Sequence, residues 1–373
     1  MSVSRLYNIL AINWQDITHP LGGGAEVHFH EIFKRVAAAG HRVTLLSCSY
    51  ENAPAEETID GIRIVRRGQR DFFNFAVPRG YRELTAHEHF DIVFDDINKI
   101  PFYTPLFVKE PVVAIAHHFF AKSIFLEVSF QYASYVYLSE YLVRFIYRNT
   151  PFAVVSNSTR DELLKIGIKA HIELLPNAVD QKIYHVLSNT KSKTPVIGYL
   201  GRIKKYKSVD HIIRAMPIIL QHIPDVRLKI IGDGDALPEL RAIARSLGVE
   251  KQIQFTGHVT QNEKVKLINE SWVVVNPSSK EGWGLTVIES NACGIPVVAA
   301  NSPGLRDSVI DGETGTLYDY GNIDYLAHAV VELMQDEKKR NLYAKKARQW
   351  SENWNWDHSA QKAITIIEKN VRT

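Results

Sequence analysis

The sequence predicts two α/β domains, each built on a doubly wound parallel sheet. Three observations predict it. Short, continuous apolar runs alternate with stretches of helical periodicity along almost the whole chain, as buried parallel strands joined by crossover helices do. That rhythm breaks at the polar stretch 188–194, which holds no apolar residue, and then restarts. At 373 residues the chain is also too long for one ordinary domain.

Residues 7–13 read as a buried first strand, followed by a glycine-rich loop at 20–26 and a helical pattern through Ala39. Gly40 stops that helix, and 41–47 is the next strand, completing a βαβ opening. Further strands are expected at 61–66, 91–96, 111–117, 152–156 and 171–175. Between Phe119 and Arg148 lies a segment crowded with Phe and Tyr, carrying Lys122, Arg144 and Arg148, that reads as one or two helices. It suits helices packed on the sheet first, because aromatic side chains dominate cores, and second an interfacial surface that accepts lipid-linked substrate. Beyond 188–194, strands at 196–200, 226–231, 253–255, 272–275, 294–298 and 316–318 alternate with helices at 208–222, 237–247, 262–270 and from Leu285. Three helices close the chain, at 323–335, 337–350 and 356–371.

Composition bounds the function. A hydrophobic fraction of 45% and a charged fraction of 23% are those of a globular protein with sizeable cores. Forty-four basic residues against 41 acidic leave +3, too balanced to argue for nucleic acid. Cys48 and Cys293, the only two cysteines, sit in apolar surroundings and read as buried thiols in a reducing compartment. No signal-peptide core or long apolar run appears, so a cytoplasmic protein able to touch a membrane surface is expected. No His, Cys, Asp or Glu grouping has metal-ligand spacing, and no metal cofactor is expected.

Several stretches carry chemistry. Glu281 and Glu289 flank Gly282, Gly284, Leu285 and Thr286 between two apolar runs, which reads as strand, glycine loop and helix. Such a helix start offers unpaired N–H groups to an anion such as a diphosphate. Arg202 and Lys207 follow a buried strand and can meet phosphate oxygens, although a basic loop is more often a solvated face. Gly232 opens the Gly-Asp-Gly turn after another strand, which suits either a plain strand-to-helix turn or the lining of a nucleotide pocket. Gly22, Gly23 and Gly24, with Glu26, permit close approach of a phosphate or sugar, or form a flexible loop. His117, beside His118 at a strand's carboxyl edge, can orient a hydroxyl or move a proton. Arg63, Arg66, Arg67, Arg70, Arg79 and Arg82 read as a solvated face or an anion-binding surface. The dinucleotide fingerprint, the P-loop and the nucleophile elbow are all missing.

The ordered series of these motifs resembles glycosyltransferase family 4, the retaining glycosyltransferases of GT-B architecture, in which two Rossmann-like domains face each other across a cleft. The resemblance covers almost the whole chain and is strongest from Val196 to Tyr318. It implies a nucleoside diphosphate sugar as donor, with no metal required. Arg202 and Lys207 match the pair that neutralises the diphosphate. Glu281 matches the carboxylate beside the transferred sugar, and Glu289 the one that holds the ribose. Gly284, Leu285 and Thr286 match the loop whose amides meet phosphate or sugar. His117 matches the histidine near the reacting sugar, and Gly23 and Gly24 the loop beside the diphosphate. Ser208 and Ala178 stand where the family usually has glycine. The resemblance also implies that the last helix returns to the first domain. The domains expected are therefore 1–187 with 356–373 for the acceptor, and 188–355 for the nucleotide sugar.

The function expected is transfer of a hexosyl or N-acetylhexosaminyl group to a glycan or lipid-linked acceptor, with peripheral membrane contact through the first domain and no nucleic-acid partner. A nucleotide-sugar epimerase and a non-catalytic sugar-nucleotide-binding partner are the alternatives.

Overall fold

The computed structural model describes residues 5–97 and 100–371. Met1 to Ser4, in which no signal-peptide core is expected, and the Lys122 side chain lie outside what is described. The chain divides into two compact units, residues 1–177 with 356–373 and residues 178–355.

In the first unit the elements run β1 (Asn8–Ile12), α1 (Gly24–Ala38), β2 (Arg42–Ser49), β3 (Glu56–Ile59), β4 (Ile62–Gln69), α2 (Phe73–Thr85), β5 (Ile92–Ile97), β6 (Val112–Ala116), α3 (Phe130–Ile146), β7 (Phe152–Val154), α4 (Asn157–Ile166) and β8 (Ile172–Leu174). They form one sheet in the order β3-β4-β2-β1-β5-β6-β7-β8. All pairings are parallel except that of β3 with β4. The central strands are buried along their full length, as a sheet covered on both faces requires. The strand order reverses direction between β1 and β5, and the loops leaving such neighbouring strands part to open a crevice at their carboxyl ends.

The second unit runs β9 (Val196–Leu200), α5 (Val209–His222), β10 (Arg227–Ile231), α6 (Leu237–Ser246), β11 (Ile253–Gly257), α7 (Gln261–Glu270), β12 (Val273–Asn276), α8 (Leu285–Ala292), β13 (Val297–Ala300), α9 (Leu305–Ser308), β14 (Gly315–Tyr318), α10 (Ile323–Gln335) and α11 (Glu337–Glu352). Its six-stranded sheet is ordered β11-β10-β9-β12-β13-β14, with every pairing parallel and the switch between β9 and β12. The final helix, α12 (Trp356–Asn370), belongs to the first unit.

The division falls after Asn177, ten residues before the polar stretch at 188. Residues 178–187 lie with the second unit because their polar groups are tied there. The Tyr184 hydroxyl donates to Glu289 Oε1 at 2.6 Å, and the Leu187 amide donates to Asn269 Oδ1 at 2.8 Å.

Candidate functional site

Two of the basic and acidic residues singled out in the sequence meet at the switch point of the second sheet. β9 leads into the loop carrying Arg202 and Lys207, and β12 leads into the loop carrying Glu281. These strands are hydrogen-bonded neighbours, so the two loops leave the sheet side by side. Lys207 Nζ lies 2.5 Å from Glu281 Oε1, and Ser278 Oγ donates to the same oxygen at 2.7 Å. Burial pulls the Lys207 ammonium down, but the Glu281 carboxylate and Tyr206 more than offset this, and its pKa stands above the ordinary lysine value. Lys207 therefore keeps its charge. Arg202 is exposed, with no ion pair to its guanidinium among the described residues.

The Glu281 loop ends on Gly284, which caps α8 at φ +86°, a conformation that glycine adopts without strain. A side chain there would also press on Ser308 Oγ, 2.5 Å from where its Cβ would stand. Gly284 supplies no capping side chain, and the Leu285 and Thr286 amides have no partner among the described residues. The α8 N-terminus thus presents free N–H groups and its positive dipole end beside Lys207 and Glu281. Thr286 Oγ1 accepts from Asn276 Nδ2 at 3.1 Å, tying the helix start to β12.

Glu289 sits one turn deeper in α8 and is buried. Tyr184 OH and Lys264 Nζ both donate to its Oε1, at 2.6 and 2.8 Å, and Lys264 lies 2.7 Å from Oε2. Burial lowers the pKa of Lys264, but Glu289 and Tyr184 together hold it above the ordinary lysine value. Gly232 has a packing reason for its identity, because a Cβ there would stand 2.0 Å from the Gly201 carbonyl oxygen. It brings β10 against the start of the Arg202 loop.

Gly23, Gly24 and His117 lie in the first unit. The Gly23 amide donates to Glu26 Oε2 at 2.7 Å, closing the start of α1. A Cβ on Gly24 would meet nothing within 4 Å, so packing does not demand a glycine there. His117 directly follows β6, is buried, and its Nε2 is 2.9 Å from Asp96 Oδ1. His118 meets the Phe120 ring edge-on.

Arg63, Arg66, Arg67 and Arg79 of the arginine stretch are engaged by carboxylates of the first unit. Arg66 is fully buried against Asp16 at 2.7 Å, Arg63 pairs with Glu56 and Glu88, Arg67 with Glu56 and Glu83, and Arg79 with Glu83. The acidic partners come from β3, α2, the loop after α2 and the first loop, and spacing along the arginines alone does not reveal them. The sequence also gave no sign of Tyr184, Lys264, Asp96 or His28, since each reaches the candidate residues from a different element. Among the described residues no cluster of His, Cys, Asp and Glu could hold a metal ion. A cavity of about 310 Å³ in the second unit is lined by Ser192, Thr194, Arg227 and Lys229 at the amino ends of the strands, the opposite end of the sheet from Glu281.

Two doubly wound units, the second carrying this basic loop and open helix start at its strand ends, are those of the GT-B class of glycosyltransferase fold. Residues 180–350 match the model for glycosyl transferases group 1, and residues 22–182 that for glycosyltransferase family 4. The chain belongs to this glycosyltransferase family. It is 31% identical over 220 residues to the GDP-mannose-dependent alpha-(1-6)-phosphatidylinositol monomannoside mannosyltransferase of Mycolicibacterium smegmatis, a match covering 54% of this chain and 58% of that relative. It is 25% identical over 374 residues to a glycogen synthase of Mycobacterium tuberculosis, covering 91% of this chain and 89% of the relative. Sucrose-phosphate synthase from Thermosynechococcus elongatus shares the fold at a TM-score of 0.82 and 19% identity, over 97% of this chain and 98% of that one.

Proposed function

We propose that the chain is a retaining glycosyltransferase that moves a sugar from a nucleoside diphosphate donor to a hydroxyl of a glycan or lipid-linked acceptor. The observation that carries this is the group at the β9/β12 switch point. Lys207, Arg202 and the free amides of Leu285 and Thr286 supply positive charge at one strand-end crevice, and Glu281 stands beside them. When the donor bond breaks, negative charge grows on the diphosphate. Fixed cationic and N–H groups stabilise it without reorganising, the effect that usually contributes most. These groups serve the leaving phosphate with no metal ion. Glu281 accepts from the transferred sugar's hydroxyls, and Glu289, held by Lys264 and Tyr184, accepts from the ribose. Gly232 lines the nucleotide, Gly23 and Gly24 approach the diphosphate, and His117 meets the reacting sugar. The leaving phosphate takes the acceptor proton.

The relatives' substrates favour a cell-envelope acceptor, one being named for a phosphatidylinositol mannoside. Cytoplasmic residence with peripheral membrane contact fits this reading. α3 turns Phe130, Tyr132, Leu138 and Phe145 outward, each more than half exposed, while no helix among the described residues is long and apolar enough to cross a membrane. The test is a thermal-shift screen against uridine, guanosine and adenosine diphosphate sugars, then product analysis by NMR with the stabilising donor. The expected result is donor-dependent stabilisation followed by transfer with the donor's anomeric configuration kept. An inverted product excludes the retaining assignment, and epimerised donor formed without acceptor excludes transfer.

A further inference from the structure

The first unit holds a second organised polar group around His117, whose members Asn13 and Asp96 the motif series does not contain. Asn13, Asp96 and His117 stand at the carboxyl ends of β1, β5 and β6, three neighbouring strands, which is how residues 21 and 83 positions from Asp96 come together. Asn13 Nδ2 donates to Asp96 Oδ2 at 3.1 Å, and Asp96 Oδ1 lies 2.9 Å from His117 Nε2. Asp96 and Asn13 are fully buried. The His117 carbonyl accepts from Thr159 Oγ1 at 2.8 Å, and the His28 ring meets the His117 ring edge-on at 5.1 Å. Burial, with His117 beside it, takes the His28 pKa down to about 3, so His28 is a neutral wall. Backbone, ring face and one ring nitrogen of His117 are thus all fixed. Its Nδ1 makes no hydrogen bond among the described residues.

We propose that Asp96, oriented by Asn13, is the positioning residue that sets which nitrogen of His117 meets the substrate. A carboxylate only accepts, so the His117 nitrogen facing Asp96, Nε2, carries a proton, and in the Nε2–H tautomer the lone pair is on Nδ1. His117 then acts as a hydrogen-bond acceptor for a hydroxyl of the transferred sugar. This role rests on the transferase reading above, whereas the Asp96–His117 relation does not. Asp96→Asn keeps the volume but leaves one carbonyl oxygen for two donors, Asn13 Nδ2 and His117 Nε2–H. Long-range 1H–15N correlation on histidine-labelled protein, with His117→Asn assigning the signal, reads the tautomer directly. The parent is expected to show the Nε2–H form and Asp96→Asn a shift toward Nδ1–H; an unchanged signal overturns the proposal. In turnover, Asp96→Asn is expected to lose about 10- to 100-fold in kcat with little change in KM, and the double variant to be no slower than His117→Asn alone. Additive losses overturn it. Asn13→Ala, which leaves Asp96 and His117 in place, is expected to give a smaller loss in the same direction, so the proposal stays testable if Asp96→Asn folds poorly. If the parent transfers no sugar from any donor, the functional reading fails and the tautomer still decides the role of Asp96.

Discussion

Lys207 and Arg202 sit in the same loop but are held differently, and their variants should separate chemistry from stability. Arg202 is exposed with no ion pair among the described residues, so Arg202→Ala is expected to leave the thermal midpoint within about 1 °C, since surface changes of this kind cost little. Its kcat should fall at least about 10²-fold if the guanidinium meets the leaving diphosphate. Lys207→Ala should lose as much in kcat and also lower the midpoint, because the half-buried Glu281 would keep only the Ser278 hydroxyl as a side-chain hydrogen-bond donor among the described residues. Near-parental kcat in either variant would remove that residue from the site. The neighbouring Ser208 stands at φ +50°, the left-handed region that glycine adopts without strain, and its hydroxyl is 2.8 Å from Tyr320 OH. Ser208→Gly would relieve about 1 kcal/mol of strain and give up a hydrogen bond worth about as much, so denaturant unfolding should show little net change. Ala178 has no positive φ, so its backbone does not call for the glycine that the resemblance implies there.

At the scale of elements, β5 and the end of α3 are joined through a buried carboxyl group. Asp95 Oδ2 accepts from Tyr147 OH at 2.6 Å and from Thr104 Oγ1 at 2.5 Å. Burial raises its pKa to about 6, although those two hydroxyls pull the other way. The folded-state value lies above the unfolded one, so the native form binds more protons between pH 4 and 6 and stability falls as pH rises through that window, by on the order of 3 kcal/mol. Asp95→Asn should flatten that fall, as read from chemical denaturation at a series of pH values; an unchanged slope would assign it to other groups. α3 buries two polar side chains beside Ala133 and Val143. Ser139 and Glu140 face inward, with Glu140 accepting from the Phe120 and Ala121 amides at 2.7 Å, while Phe130, Tyr132 and Phe145 face outward. Replacing those three by Ser should reduce co-sedimentation with phospholipid vesicles several-fold without lowering the thermal midpoint, since none is buried. Equal sedimentation would exclude this face from membrane contact. The sequence showed an aromatic segment here but not its orientation, because the choice depends on which side Glu140 finds amide donors. The buried strands were readable, since a parallel strand is apolar throughout. Neither α2, which carries Pro78 within it, nor the short antiparallel β3, whose residues alternate between exposed and half-buried, gave a comparable signal. In the site, the glycines and charges stood in legible motifs. Their partners Tyr184, Lys264 and Asp96 did not, because pairing across a sheet is set by strand order rather than by spacing.

At the scale of the whole molecule, the end of the chain is part of the first unit's core. Trp356, Ala360, Ala363, Ile366 and Ile367 of α12 are buried in that unit, and Ser359 Oγ donates to the Pro176 carbonyl at 2.9 Å. Arg35 of α1 reaches Asp357 at 2.7 Å, and Lys369 reaches Glu173 at 3.0 Å. These ion pairs are exposed and contribute little, so the apolar face carries the attachment. Each buried side chain of Trp or Ile size is worth about 1.5–3 kcal/mol, and two or three of them approach the whole stability of an ordinary domain. A chain stopped after Asn355 should therefore lose the first unit's cooperative unfolding, while residues 178–355 keep theirs. Calorimetry would show one transition where the full chain shows the contributions of both units. Nucleotide sugar should still raise the surviving transition, because Arg202, Lys207, Glu281 and Glu289 all lie within 178–355, and sugar transfer should be lost with His117. A truncated chain that retained both transitions would mean that α12 is dispensable, and one that no longer responded to nucleotide sugar would show that donor binding needs more than the second unit.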